Sequence, residues 1–150
     1  MPRIARSAEV AWEGSLSRGA GIATAGTGAF ELPIDLPSRI GAGDEVTKTS
    51  PEELLAAAHA GCYATGLAGE IASAGGTVDR LEITCTVTMD EVPGKGHVIV
   101  SSELDVRVRA EGIDDSILER VARAADDGCP FSALIRATAA VDVSARLEAR

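Results

Sequence analysis

Aromatic residues are scarce in this sequence: one Trp, one Tyr and two Phe make up 3% of 150 residues. The core must therefore be built from Ala, Val, Leu and Ile, a finely grained composition that suits closely packed helices and pleated sheets. Basic residues are in deficit as well, with 14 Lys and Arg against 23 Asp and Glu and a formal net charge of -9. That balance argues against a nucleic-acid partner, whose binding rests on neutralising phosphates with Lys and Arg. It disfavours an anionic membrane surface for the same reason. No apolar run approaches the length needed to span a bilayer. The opening MPRIARSAEVAWEG has two early arginines but lacks the apolar stretch of a signal peptide. These absences point to the cytoplasm. Cysteine is rare too, with three residues. In a reducing compartment an odd count is not a structural disulfide framework, and any bridge is expected to be transient and catalytic.

What is present reads as one soluble domain spanning 1–150, 45% hydrophobic and 25% charged. In IARSAEVAWEG, Ile4, Ala8, Val10 and Trp12 share one face of a period-two strand. Two short strands follow around a turn near Gly26-Thr27-Gly28. LPSRIGAGDEVTKTSP, rich in Gly, Ser, Thr and Asp, reads as a long mobile loop, and such loops are often functional. Ser50-Pro51-Glu52-Glu53 then starts a helix, with Ser50 as N-cap, Pro51 at N1 and Glu53 completing a capping box. The helix should run to about Ala74. From Leu54 to Ala68 it is apolar or small nearly all round, which predicts burial nearly all round. RLEITCTVTMDEV and HVIVSSELDVRVRA alternate cleanly about a Pro93-Gly94-Lys95-Gly96 turn and predict a long hairpin with one wet face. Asp114 caps a helix over DSILERVARAADD, Cys129-Pro130 opens a short third one, and AAVDVSARL closes the chain as a strand.

The three thiols differ in setting. Cys85 lies in the inward register between Ile83 and Val87, where a free cysteine behaves as a small hydrophobe. Cys62 sits among Ala60, Gly61 and Ala64, where a small residue fits a tight helix crossing as readily as a nucleophile would. Cys129 stands before Pro130 at an expected N-cap, where unpaired N–H groups favour a thiolate. His59, one turn before Cys62, could act as a base or contribute to a metal site. No further Cys or His lies at ligand spacing, however, and an ordinary packing role fits it better. His97 stands alone near a turn and reads as solvated.

TSPEELLAAAHAGCYA together with GCPFSALIRA resembles the two cysteine motifs of the OsmC/Ohr family of organic hydroperoxide reductases. AWEGSLSRGAG and VDVSARL are similar to the OsmC branch, so the resemblance runs through nearly the whole chain in the expected order. It implies an α+β fold, antiparallel sheets around a long buried central helix, made as an intertwined homodimer. It implies peroxide reduction by paired cysteines without metal, flavin or haem. Cys62 then corresponds to the peroxidatic thiol and Cys129 to the resolving thiol. Glu52 matches the family's acid in the first motif, and Arg39 the arginine of the preceding loop. Arg18, in LSRGAGI, lies near the arginine position of Ohr-type members and remains a rival to Arg39. The donor of reducing equivalents is, on the same resemblance, an external dithiol, typically a lipoyl group on a carrier protein.

The chemistry calls for these residue types. A thiolate attacks the peroxide, a guanidinium stabilises that anion and the departing alkoxide, and a carboxylate fixes the guanidinium. An aliphatic pocket would favour organic hydroperoxides. The competing reading is a non-enzymatic stress protein that binds an apolar ligand at its dimer interface, although such a scaffold would not need Cys129 beside Pro130. A general disulfide oxidoreductase usually shows a C-x-x-C pair, absent here. Glu52 and Cys62, ten residues apart on one helix, would stand about 15 Å apart along its axis. Two antiparallel copies of the helix would bring each Glu52 to the other chain's Cys62, which predicts an obligate homodimer with shared sites.

Overall fold

The computed structural model describes residues 3–148. The chain divides into two compact units, one up to Leu54 and one from Leu55 onward, the boundary in sequence falling in the first turn of a long helix.

The first unit is an antiparallel meander of β1 (Ala8–Glu13), β2 (Ala20–Ala25) and β3 (Glu31–Ile34). Its register pairs Val10 with Ala23 and Ile22 with Pro33. The apolar face expected of the first strand is there but stays exposed in the single chain: all of β1 is accessible, with Val10 at 55%. An edge strand of a three-stranded sheet has little within its own unit to cover it. The segment expected as a mobile loop is instead partly folded. Helix α1 (Leu36–Ile40) is capped by Asp35, whose carboxylate accepts from the Ser38 N–H at 2.7 Å. Lys48 then closes the segment with a 2.6 Å ion pair to the same carboxylate.

Helix α2 (Pro51–Ser73) starts where the cap signals place it, with the Glu53 N–H donating to Ser50 Oγ at 3.2 Å. The Glu53 carboxylate accepts from the Thr49 hydroxyl. The burial expected nearly all round α2 is not met by one chain. One stripe at i, i+4 spacing is fully buried (His59, Tyr63, Leu67, Ile71), while Ala57, Gly61, Thr65 and Gly69 are exposed. An added Cβ at Gly61 or Gly69 would meet nothing.

The second unit packs that stripe against a sheet of order β4-β5-β6, formed by β4 (Thr77–Val92), β5 (Gly96–Glu111) and β6 (Ala140–Leu147). The hairpin forms as the alternation predicts, and its turn needs left-handed backbone at Gly94 and Gly96 (φ 77° and 73°), which glycine adopts without steric cost. The expectation of antiparallel sheets holds for the first sheet and for β4–β5 and needs correcting at β6, which runs parallel to β5. A parallel neighbour requires a crossover, and α3 (Asp115–Asp127) with α4 (Pro130–Arg136) supplies it. Asp114 caps α3 through the Ile117 N–H at 2.8 Å. The α3 stripe Leu118, Val121, Ala122 and Ala125 completes a core with Leu104, Val106 and Val108.

Candidate active site

The residues singled out by sequence form two pairs, one in each unit. In the first unit, α1 carries Arg39 in its last turn and α2 carries Glu52 in its first. Arg39 Nη2 donates to Glu52 Oε1 at 2.7 Å, and Nε lies 3.2 Å from both carboxylate oxygens. Burial alone would raise the Glu52 carboxyl. The Arg39 hydrogen bond, together with the Glu52 backbone and Ser50, outweighs it and holds the group below its ordinary value. The same contact raises Arg39. Arg39 remains 38% exposed, and exposed pairs contribute only about 0.2–1 kcal/mol to stability. The fork therefore matters more for fixing the guanidinium plane than for holding the fold.

Beside Arg39 lies a small pocket of about 120 Å³, lined also by Trp12, Leu16, Ile34, Asp35, Leu36 and Pro51. Trp12 and Leu16 are exposed, so the pocket presents an apolar surface. Arg18, the rival arginine, is exposed in the turn between β1 and β2, which the Gly19 N–H closes on Ser15 O at 2.6 Å.

In the second unit the structure brings Cys62 and Cys129 together. All three thiols are free; Cys62, on α2, is half-buried, while Cys129, the N-cap of α4, is buried. Burial pushes the Cys62 thiol up, and the Cys129 side chain, its direct hydrogen-bond partner, pushes it further. The Phe131 N–H bonds to the same sulfur and works the other way without prevailing. Cys129 Sγ accepts from the next N–H, that of Ser132, at 3.5 Å. Successive amides of one helical turn thus hold both sulfurs. These surroundings favour the neutral thiol of Cys62 over its thiolate.

Cys85 sits apart on β4, raised by burial, with its sulfur 3.3 Å from Ser102 Oγ. His97 is exposed near the hairpin turn. His59 is the residue whose part the sequence did not disclose: it is fully buried and bonded to Ser102 and Ser132. Among the described residues no group of three or more His, Cys, Asp or Glu could hold a metal ion. No helix among them is long and apolar enough to cross a membrane.

A long helix bearing one thiol, a short helix capped by a second and two small sheets define the OsmC/Ohr fold. Residues 41–144 match the family model described as OsmC-like protein. Over 140 residues the chain is 31% identical to peroxiredoxin OsmC of Escherichia coli K12, a match that covers 93% of this chain and 95% of that protein. Among solved structures, the organic hydroperoxide resistance protein OsmC of Legionella pneumophila superposes with a TM-score of 0.75 at 21% identity, covering 95% of this chain and 98% of that one. OhrB of Bacillus subtilis does so with a TM-score of 0.71 at 24% identity, covering 93% and 98%. The chain belongs to the OsmC family. Membership assigns it, at the coarse level, to peroxidase-type oxidoreductases of stress defence.

Proposed function

We propose that the protein is a thiol peroxidase that reduces organic hydroperoxides to alcohols, with Cys62 as the peroxidatic and Cys129 as the resolving thiol. The observation that carries this reading is the direct contact of two free thiols held by consecutive amides, Phe131 and Ser132. Cys62 thiolate attacks the terminal oxygen of ROOH, the O–O bond breaks, and the alkoxide leaves to be protonated as ROH. The resulting Cys62 sulfenic acid is attacked by Cys129; its S–O bond breaks, and hydroxide departs with a proton as water. An external dithiol reduces the Cys62–Cys129 disulfide by exchange and becomes a disulfide itself. A lipoyl group on a carrier protein in the cytoplasm is the donor this reading favours, and no further cofactor enters.

Arg39, oriented by Glu52, stabilises the Cys62 anion and donates to the departing alkoxide oxygen. The pocket beside Arg39 takes the alkyl tail, which gives organic hydroperoxides their advantage over hydrogen peroxide. Glu52 and Cys62 lie about 15 Å apart along one continuous helix, so the pair that serves each thiol comes from a second copy. The exposed small residues of α2 and the bare apolar face of β1 are the kind of surface a homodimer would cover. The test is steady-state turnover of cumene hydroperoxide and of hydrogen peroxide with dihydrolipoamide. The reading expects kcat/KM to favour the organic substrate; no turnover of either would overturn it.

A further inference from the structure

His59 occupies the centre of a buried polar cluster that the mechanism above leaves unused. Its ring is wholly inaccessible, as are Ser102 on β5 and Ser132 on α4. Nδ1 lies 2.8 Å from Ser102 Oγ and Nε2 lies 2.8 Å from Ser132 Oγ. A neutral imidazole has one donor and one acceptor nitrogen, and the two hydroxyls satisfy both. Ser102 Oγ also meets Cys85 Sγ at 3.3 Å, while His59 Nδ1 is 3.9 Å from that sulfur.

Such a cluster is a costly way to fill a core, since apolar side chains of the same volume are often as stable or more so. What directional bonds add is a unique arrangement. Here they join three elements. His59 stands on α2 one turn before Cys62; Ser132 stands in the first turn of α4. The Ser132 N–H bonds to Cys129 Sγ, and the preceding N–H, of Phe131, bonds to Cys62. Helix α4 has only seven residues, too few to hold a helical turn in place unaided. The His59–Ser132 bond is therefore a side-chain tether between the helix of one thiol and the turn that carries the other.

We infer that His59 is a positioning residue for the thiol pair, holding Cys129 against Cys62 through Ser132. The inference rests on the disulfide-forming role proposed above. It concerns ring closure more than peroxide attack, because Cys62 keeps its place on α2 when α4 is loosened and loses there only the Phe131 amide. Loosening the tether should slow condensation of the sulfenic acid with Cys129 more than it slows sulfenic acid formation, and expose Cys62 to further oxidation.

The test uses the full chain and glutathione redox buffers, with the Cys62–Cys129 disulfide read by peptide mapping to give the effective concentration of the pair. Ser132→Ala removes the tether while keeping the amide that faces Cys129; His59→Gln removes the ring. Tyr63→Phe is the control: it deletes a buried hydrogen bond to Ala122 O in the same core, 3.1 Å long, that involves neither α4 nor the cluster; the hydroxyl is linked to Cys129 only through charge. Ser132→Ala should lower the effective concentration about tenfold or more, as misplacement of reacting groups does, and raise the fraction of Cys62 over-oxidised per turnover. Tyr63→Phe should leave both readouts unmoved even where it lowers Tm as much. If Ser132→Ala stays within twofold of the wild type, the inference is overturned, and that variant decides the matter even where His59→Gln does not fold. If the wild type itself forms no Cys62–Cys129 disulfide, the proposed function falls and the inference with it.

Discussion

Cys62 and Cys129 meet at a single helical turn, each sulfur accepting from one of two consecutive amides, Phe131 and Ser132. Cys62 is half-buried and Cys129 buried, which accords with the proposed division of roles. Cys62→Ser should abolish turnover, since no other nucleophile takes its place. Cys129→Ser should consume about one equivalent of peroxide per site and then stall as the sulfenic acid or over-oxidise. Single-turnover kinetics with mass spectrometry separates the two. Substantial turnover in Cys62→Ser would exchange or abolish the assigned roles.

Arg39 is expected to lower a pKa that its surroundings raise. Burial and Cys129 push Cys62 above the ordinary thiol range, so Arg39→Ala should move its titration upward and slow the peroxidatic step by about 10²-fold, as loss of one oxyanion donor does. Thiolate absorbance, taken as a difference against Cys62→Ser, reads the first effect, and stopped-flow mixing with cumene hydroperoxide reads the second. Arg18→Ala should do less in both. The reverse order would transfer the role to Arg18.

His59 gives stability a pH dependence of definite sign. Burial holds it below its ordinary value of 6.5; Arg136 acts in the same direction and Asp126 in the opposite one, while Ser102, Ser132 and Cys85 are its uncharged neighbours. The unfolded chain therefore binds the proton more readily. The contribution is complete above the unfolded pKa and is lost as pH falls through the folded one. Urea denaturation should show stability declining from about pH 6.5 downward, and His59→Gln should flatten that slope. An unchanged slope in the variant would contradict the assignment. Glu52, whose pKa is lowered, contributes its own loss only further into acid, as the carboxylate protonates.

Shared sites can be tested by complementation. Co-refolding Cys62→Ser with Glu52→Ala subunits should give heterodimers in which one site combines an intact Cys62 with the other chain's Glu52. That site should work at near wild-type rate, although each homodimer is impaired. An inactive mixture, or an active monomer by sedimentation, would rule out exchange between chains.

Much of the fold from Ser50 onward was legible because its signals are local. The Ser50 cap, the alternation from Leu81 to Val108 and the Asp114 cap each lie within a few residues of what they determine. The segment after β3 was not, because α1 is closed by a Lys48–Asp35 pair thirteen residues apart. Nor was the direction of β6, which depends on where a two-helix crossover returns the chain. The apolar residues of β1 and α2 announced a buried surface but could not say that one chain leaves much of it bare. At the site, motif residues revealed both thiols and the Arg39–Glu52 pair. The tether of His59 was hidden, because its partners lie 43 and 73 residues away and serines carry no signal of their own.

The central claim is that two particular thiols of three do the redox work, and oxidation by one equivalent of cumene hydroperoxide tests it most directly. Fully reduced native protein is mixed with the peroxide, trapped by alkylation and mapped by peptide mass spectrometry. The account predicts one disulfide, Cys62 to Cys129, with Cys85 alkylated. A bridge that includes Cys85, or peroxide consumed with Cys62 still reduced, would contradict it.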